Sequence, residues 1–308
     1  MDSPLARIIL AILGGYFIIL LLLSVYDWVA KEYPTRPDEP PNEARVQHPG
    51  NHKAATEALQ LFSQLPQSEK VAIKENLESN MISIEQWLTH LTRAEYQILC
   101  IGEFHEESTR QFLSEYFFAK MNTDVLMLEA TPKKLKRIFK RMEAGRDYYP
   151  LLDADILNIL RAAIDRNPDI RICGIEETDK QEKQQADHSN SRDQSIAHNF
   201  WDSFQPGKRH IILFGALHCA NESNWLYQNL CSQTSPPLKD RMLNVRVLAE
   251  HQNGPLEAFV YFLDEIGIPK KHFVIPNTNS LHPFIYEFFQ LLNRQTLDKY
   301  RSVLVFRL

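Results

Sequence analysis

Two short stretches of the chain are near-copies of each other, Ile98-Leu99-Cys100-Ile101-Gly102-Glu103-Phe104-His105 and Ile211-Ile212-Leu213-Phe214-Gly215-Ala216-Leu217-His218. Each is an apolar run that stops at a glycine and places a histidine three residues later. An apolar run of this length, bounded by a turn signal, predicts a strand that is buried on both faces. A histidine just past such a strand lies at the carboxyl edge of a parallel sheet, where open α/β folds bind their ligands. We therefore expect one site assembled from two strand ends.

Carboxylates follow two further predicted strands. Glu129 comes directly after a strand predicted over 124–128, and Glu176 and Glu177 follow one predicted over 170–175. Carboxylates and imidazoles at the mouth of a buried sheet are costly to desolvate, so they need a partner, a metal ion or a shared proton. Of the two neighbouring glutamates we expect one to be solvated, and we favour Glu176 for the site.

The strands alternate with segments of helical periodicity. This alternation implies right-handed βαβ units, and it predicts an α/β fold with a mostly parallel central sheet flanked by helices. The apolar patterns place helices at 107–121, 132–142, 153–165 and 191–204 and additional strands at 242–248, 258–263 and 302–307.

Composition and charge exclude several classes of protein. The 308 residues are 44% hydrophobic and 24% charged, as in a globular protein, and the net charge of −5 leaves no electrostatic footprint for nucleic acid. The four cysteines do not predict a disulfide framework, and without a CxxC pair they do not predict a structural zinc site. We expect Cys100 and Cys173, inside predicted strands, to be small buried hydrophobes, and Cys219 to be buried and structural.

The N-terminus predicts a membrane anchor. The stretch 8–26 carries no charged residue, and its length is close to the roughly 20 residues that a helix needs to cross a bilayer. No small-residue cleavage site follows it, so we predict an uncleaved transmembrane anchor in residues 1–33, whose partner is the lipid bilayer. Residues 34–52 contain five prolines and predict a semi-extended linker. Residues 53–308 have the size of a single α/β domain.

Two signals disagree on the side of the membrane that the domain occupies. Arg7 stands before the anchor and Lys31, Arg36 and Arg45 after it, which favours a cytoplasmic domain under the positive-inside rule. A very short segment before the anchor is equally typical of a signal-anchor that exports the following domain. We expect a single-pass protein of a bacterial inner membrane with an extracytoplasmic domain.

Three kinds of chemistry fit the predicted site. His105, His218 and Glu103 can ligate a divalent transition metal with open positions for water or substrate. A histidine–glutamate pair can act as a general base on water without metal. The histidines can also serve as axial ligands of haem.

Two groups of charged residues permit a simpler interpretation. Arg192 and Asp193 can form a surface pair at the start of a helix, where an aspartate suits the helix dipole. The other group is a basic run whose simplest role is a solvated helix face, with contact to anionic lipid as the alternative. Its members are Lys133, Lys134, Lys136, Arg137, Lys140 and Arg141.

Several segments between residues 82 and 308 carry a family resemblance. They are Ile84-Glu85-Gln86-Trp87, Ile98 to Glu106, Leu126 to Glu129, Tyr149-Pro150-Leu151-Leu152, Ser191 to Ala197, Gly215 to His218 and Leu297 to Phe306. In this order they resemble the ChaN-like haem-binding-uptake group of the Tiki superfamily, which also includes metal-dependent proteases, haem-binding lipoproteins and erythromycin-esterase-like hydrolases.

The resemblance implies an α/β fold with its site on one edge of the sheet. The Gly-Glu-x-His and Gly-x-x-His motifs of the superfamily fall on Glu103, His105 and His218, and its Arg-Asp motif falls on Arg192 and Asp193. The chain departs from the ChaN group in having Ile175-Glu176-Glu177 at a strand end that tends to contain asparagine, and a membrane helix instead of a lipid anchor. Both departures favour a hydrolytic site over haem binding.

We therefore predict a membrane-anchored hydrolase of the peptidase or esterase type that acts on a small-molecule or peptide substrate. Arg192 would neutralise the oxyanion that develops during hydrolysis. Two alternatives stay open: a haem- or iron-binding protein of haem uptake without catalysis, and a non-catalytic scaffold at the membrane. The predicted catalytic residues are Glu103, His105, Glu129, Glu176, Arg192 and His218.

Overall fold

The structure is a computed structural model of the chain. It describes residues 56–57, 59–103, 105, 107–143, 154–185, 192–249, 257–292 and 297–307. The predicted anchor and linker, residues 1–52, lie outside these ranges. Among the helices that the structure does describe, none is long and apolar enough to cross a bilayer.

A seven-stranded sheet forms the centre of the domain. Its strands are β1 (Ile98–Glu103), β2 (Val125–Leu128), β3 (Arg171–Gly174), β4 (His210–Gly215), β5 (Met242–Ala249), β6 (Phe273–Ile275) and β7 (Ser302–Phe306). Their order across the sheet is β3-β2-β4-β1-β5-β7-β6. Every neighbouring pair is parallel except β6 and β7. The predicted α/β fold with a mostly parallel sheet is confirmed.

Helices cover both faces of this sheet. They are α1 (Gln67–Asn80), α2 (Ile84–Arg93), α3 (Glu107–Phe112), α4 (Pro132–Glu143), α5 (Ala154–Arg166), α6 (Asp179–Gln185), α7 (Arg192–Ser203), α8 (Leu226–Ser232), α9 (Pro236–Lys239), α10 (Glu257–Glu265) and α11 (Pro283–Leu292). A π-helical segment, Leu113–Phe118, continues α3, and a 3₁₀ turn, Ala216–Cys219, follows β4.

The two near-copies lie side by side, because β1 pairs directly with β4. Glu103 is in register with Gly215 at the end of the pair. Gly102 is required there by close approach: a Cβ at this position would lie 2.8 Å from the Cα of Ala216. The two strand ends and the turn after β4 therefore meet at one edge of the sheet.

Both faces of β1 are buried, as its apolar run predicts. Leu99 and Ile101 belong to one core cluster, which includes side chains of α3, α4 and α5. Ile98 and Cys100 belong to a second cluster, which includes side chains of α7 and α8. The strand is therefore fixed from both sides, which positions the polar residues at its end.

Two strands differ from the sequence prediction, and the helices α6, α8, α9 and α11 were not predicted. The strand predicted over 258–263 is the helix α10, because Phe259, Phe262 and Leu263 also satisfy helical spacing and pack into a third core cluster. The short strand β6 was not predicted, since three residues are too few to show a period.

The cysteines also correct the sequence prediction. Cys100 and Cys219 form a disulfide bond across 119 residues of sequence, so Cys100 is not simply a buried hydrophobe, whereas Cys219 is buried and structural as predicted. Cys173 and Cys231 are free. The disulfide ties β1 to the turn that carries His218, and it could not be anticipated without knowing that β1 and β4 are neighbours.

Candidate active site

Glu103 is the buried carboxylate of the site. It is the last residue of β1, and 3% of its surface is exposed. Its Oε1 accepts a hydrogen bond from Nε of Arg110 at 2.9 Å, and its Oε2 lies 3.2 Å from the same nitrogen. Arg110 lies in α3 and is buried as well. The guanidinium group supplies the countercharge that a buried carboxylate requires.

His105 is the part of the site most open to solvent, with 47% of its side chain exposed. Its Nδ1 lies 3.2 Å from Oε1 of Glu103, and its Nε2 lies 3.2 Å from Oε2 of Glu129. Glu103 and His105 therefore point the same way. Nη2 of Arg110 also lies 2.8 Å from Nδ1 of His105, and because arginine can only donate, this contact opposes a proton on Nδ1 while Glu103 favours one.

Glu129, which directly follows β2, forms the centre of the site. Its Oε2 accepts a hydrogen bond from the backbone N–H of Gly215 at 2.9 Å, in addition to its contact with His105. Its Oε1 accepts a hydrogen bond from Nη2 of Arg192 at 2.7 Å and lies 3.8 Å from Nε2 of His218. Gly215 leaves room for this arrangement, since a Cβ there would lie 3.0 Å from Nε2 of His105.

Arg192, the first residue of α7, joins the ends of β2 and β3. Its Nε donates to Oε1 of Glu176 at 2.9 Å, and its Nη2 contacts the other oxygen of the same carboxylate. This two-point contact is typical of arginine and carboxylate, and the Glu129 contact extends it to a second acid. Glu177 is not the solvated residue that we expected: it is buried, and burial raises the pKa of its carboxyl group.

His218 is the buried histidine of the site. Its Nδ1 lies 2.5 Å from Oδ1 of Asp193, which is also buried. Its Nε2 lies 3.3 Å from Nη1 of Arg192. Because arginine can only donate, this contact makes Nε2 an acceptor and leaves the proton on Nδ1, where Asp193 accepts it. The rings of Phe214 and Trp225 contact His218 with their planes nearly perpendicular to it.

The six predicted catalytic residues come together at this edge, through the contacts given above. Arg110 and Asp193 were not among them. Arg110 gives little signal in the sequence, because a basic residue on a helix is usually solvated. Asp193 had a signal in the Arg-Asp motif, but a surface pair with Arg192 was an equally good interpretation. That interpretation is wrong, since Asp193 is buried against His218.

Opposite charges shift the pKa values of the two most central groups. Burial lowers the pKa of His105, but hydrogen bonds and charges of Glu103 and Glu129 outweigh it and raise the pKa to about 9. Burial raises the pKa of Glu129, but the hydrogen bond and charge of His105 outweigh it and hold the pKa well below its usual range. At neutral pH His105 therefore carries a proton on Nε2 and Glu129 is a carboxylate.

The residues predicted to bind a metal, His105, His218 and Glu103, each contact other charged side chains, and metal binding stays a prediction. Among the residues described, no three His, Cys, Asp or Glu side chains are grouped so as to hold an ion. The oxygens of Glu103 face Arg110, and Nε2 of His218 faces Arg192. All four ring nitrogens of the two histidines face a charged side chain, and haem binding also stays a prediction.

The chemistry that this arrangement permits is proton transfer. His105 is an acid held in the protonated form by two carboxylates, and His218 is oriented by a buried aspartate so that Nε2 can accept a proton. Arg192, with 43% of its side chain exposed, is a cation that can face a developing negative charge.

Known proteins match this chain weakly, and by structure. Neither a family model nor a curated protein matches the chain. A solved structure described as "Crystal structure of bacterial protein toxins" is similar at 13% identity and a TM-score of 0.34, over 54% of this chain and 37% of that one. Another, described as revealing "a thiol-protease like catalytic triad in the C-terminal region of Pasteurella multocida toxin", is similar at 12% identity and a TM-score of 0.31, over 64% of this chain and 30% of that one. The chain thus spans about a third of the length of these proteins, and similarities this low do not bear on what it does.

Proposed function

We propose that the protein is a membrane-anchored hydrolase that cleaves an ester or peptide bond with two histidines and without a resident metal. One observation carries the proposal: Nε2 of His105 and Nε2 of His218 face the same carboxylate, that of Glu129, at 3.2 and 3.8 Å. The Nδ1 atoms of the two rings are held by separate acids, Glu103 and Asp193.

His218 is the proposed general base. Asp193 holds the Nδ1 proton, so that the lone pair of Nε2 is directed to the site, the same arrangement by which a buried aspartate orients a catalytic histidine in serine hydrolases. A water molecule at Nε2 gives its proton to this nitrogen while its oxygen adds to the carbonyl carbon of the substrate.

His105 is the proposed general acid. Its proton is present at neutral pH, because Glu103 and Glu129 raise its pKa to about 9. When the tetrahedral intermediate collapses, Nε2 of His105 gives this proton to the leaving alcohol or amine as the carbon–oxygen or carbon–nitrogen bond breaks. The exposure of His105 supports this role, since the leaving group must depart to solvent.

Arg192 is proposed to stabilise the oxyanion. Its guanidinium group is held between the carboxylates of Glu129 and Glu176 and also lies beside Nε2 of His218. A fixed cation beside the base stabilises the negative charge that develops on the carbonyl oxygen. Glu129 and Glu176 position the guanidinium group, and Glu129 also positions the proton of His105.

The experiment is a hydrolysis assay of the full chain, purified in detergent, on panels of chromogenic esters and fluorogenic peptides. We expect His105→Gln and His218→Gln each to lower kcat/KM by about 100-fold or more, the usual contribution of general acid–base catalysis. A chelator should leave the activity unchanged.

His198→Gln is the matched control, since His198 lies on α7, its side chain is 71% exposed and it pairs with Asp202. Activity that a chelator abolishes and a divalent metal restores would contradict the metal-free mechanism. If no substrate is turned over and a haem absorbance band appears that the His105→Ala/His218→Ala variant lacks, haem binding replaces the proposal. If neither occurs, the site is a structural one.

A further inference from the structure

A second feature of the molecule, independent of the proposed hydrolase, is the charge of α4. Among its twelve residues, six are cationic and one, Glu143, is anionic, so the helix has a net charge of +5. The whole chain has a net charge of −5, which leaves −10 for all other residues. The net charge of α4 is thus opposite in sign to that of the remaining residues.

The two faces of α4 have different environments. Leu135 and Ile138 are buried in the main core cluster, which accounts for the place of the helix in the fold. The opposite face carries exposed lysines, and within the described part of the chain none of them forms an ion pair with a carboxylate. These lysines, here called the lysine face, are Lys133, Lys134, Lys136 and Lys140.

The position of these charges opposes the stability of the helix. Lys133 and Lys134 lie in the first turn, where the helix dipole disfavours cations. Lys136 and Lys140 are four residues apart, a spacing at which like charges destabilise a helix. The helix α2 shows the ordinary arrangement, with Glu85 in its first turn and Arg93 in its last. Helix formation therefore does not explain the lysine face, whereas an anionic surface opposite it would relieve the repulsion.

We propose that the lysine face docks on the anionic headgroups of a phospholipid bilayer. Clustered lysines on an amphipathic helix suit such a surface, and each contributes to the attraction when it lies near the headgroups. The predicted anchor at 8–26 would keep the domain beside a bilayer. Since all other residues together carry a net charge of −10, an anionic surface favours an orientation with α4 toward the lipid.

Docking in this way would place the candidate active site near the bilayer. The helix begins three residues after Glu129, at the carboxyl edge of the sheet. Lys133 and Lys134, in the first turn, are thus the members of the lysine face closest in sequence to the site. A domain held by these lysines keeps the edge with His105 and Glu129 beside the headgroup layer.

The test is lysine footprinting of the full chain reconstituted in bilayer discs. An amine-reactive ester acylates exposed lysines, and mass spectrometry gives the rate at each site, in discs of phosphatidylcholine alone and in discs that also contain phosphatidylglycerol. We expect the acylation rate of the lysine face to be lower by about fivefold or more in the anionic discs. This factor corresponds to the attraction of one lysine to an anionic surface. Exposed lysines elsewhere, such as Lys271, should react equally in both.

Charge reversal separates docking from a general effect of charge. We expect Lys133→Glu/Lys136→Glu/Lys140→Glu to remove the difference between the two kinds of disc, as measured by acylation of the remaining Lys134. The matched control is Lys183→Glu/Lys239→Glu/Lys271→Glu, which changes the net charge equally at exposed positions outside α4 and should keep the protection. High salt should abolish it, since exposed charges are screened.

Two results would overturn the proposal. Equal acylation of the lysine face in anionic and zwitterionic discs would show that the headgroups do not cover it. Protection by soluble RNA or by a polyglutamate peptide, without protection by anionic discs, would show that the partner is a soluble polyanion.

Discussion

Asp193 contacts His218, with Oδ1 2.5 Å from Nδ1 and both side chains buried. This pairing fixes the ring so that its Nε2 faces Arg192 and Glu129. Asp193 directly follows Arg192 at the start of α7, so one turn of helix supplies both the residue that orients the base and the cation beside it. The geometry of the site therefore depends on how α7 is seated against the end of β4.

Asp193→Asn should disturb the tautomer of His218 without unfolding the domain. An asparagine side chain can direct its N–H₂ group at Nδ1, which would move the ring proton to Nε2 and remove the lone pair that the base needs. We expect a loss of about 10³-fold or more in kcat. Nitrogen-15 NMR of the histidine rings detects the tautomer directly, even before a substrate is known.

Asp202→Asn is the control for Asp193→Asn, because Asp202 is an exposed residue of the same helix. It should change neither the NMR signal of His218 nor the activity. An unchanged tautomer in Asp193→Asn would show that Asp193 does not orient the ring.

The pKa of His105 should fall when either of its carboxylates is neutralised. In wild-type protein the activity should decline as the pH rises through about 9, where the general acid loses its proton. Glu129→Gln removes the acid that faces Nε2, so the decline should move to lower pH. NMR titration of the His105 ring measures the same shift in pKa without a substrate. The control is Glu143→Gln, which neutralises an exposed carboxylate of α4. A pH limit that stays at the wild-type value in Glu129→Gln would contradict the assignment.

The same pKa shift predicts how stability depends on pH. A histidine whose folded-state pKa is raised from 6.5 to about 9 stabilises the fold fully below pH 6.5, and this stabilisation is lost as the pH rises through about 9. The free energy of unfolding of wild type should therefore exceed that of His105→Gln at pH 6, and the difference should shrink by pH 10. Because nearly half of the side chain is exposed, we expect a change of only about 0.2–1 kcal/mol. Urea denaturation at the two pH values measures it, and a difference that grows with pH would contradict the ion pair.

Gly215→Ala and Gly102→Ala should separate activity from stability. The backbone of Gly215, with φ −54° and ψ 146°, is open to any residue, but its new Cβ would lie 3.0 Å from Nε2 of His105 and 3.7 Å from Oε2 of Glu129. We expect a loss of activity of about 10-fold or more with little change in stability.

At Gly102 the new Cβ would meet backbone, 2.8 Å from the Cα of Ala216, so we expect the free energy of unfolding to fall by about 1–3 kcal/mol. Thermal unfolding and kcat/KM are measured for both, and an active Gly215→Ala variant would place the reaction elsewhere.

The part of this site that could be predicted from the sequence depends on local patterns. The apolar runs around Ile101 and Leu213 and the glycines after them predict two buried strands, and parallel strands bring their carboxyl ends to one edge by topology alone. Residues directly after a strand, such as Glu129, are therefore predictable. Arg192 was predicted because its neighbours resemble a known motif, not because of its spacing.

The part that could not be predicted depends on which elements become neighbours. Arg110 reaches Glu103 only because α3 folds back over the end of β1, and no periodic pattern marks one arginine of a helix for that role. Cys100 and Cys219 could not be paired without the strand order, since β4 inserts between β1 and β2. The apolar run around Phe262 fits a strand and a helix equally well, and only its packing decides for α10.

Removing the Cys100–Cys219 disulfide should weaken the fold and loosen the turn that carries His218. The bond closes a loop across 119 residues, so its loss enlarges the unfolded ensemble, and we expect Cys100→Ser/Cys219→Ser to lose about 2–5 kcal/mol in the free energy of unfolding. Two hydrogen bonds still hold the turn in that variant, from the hydroxyl of Tyr300 to the carbonyl of Ala216 at 2.7 Å and from Nδ2 of Asn244 to the carbonyl of residue 219 at 2.9 Å. The domain should therefore fold but unfold at lower denaturant concentration.

The control for this variant is Cys173→Ser/Cys231→Ser, which removes the two free thiols and keeps the disulfide. Thiol counting in guanidinium chloride should find two free thiols in wild type and none in this control, and adding a dithiol reductant after unfolding should raise the counts to four and two. Four free thiols in wild type before reduction would show that the bond does not form. Because such bonds form in oxidising compartments, a count of two in protein recovered directly from cells would also favour the exported orientation of the domain over the cytoplasmic one.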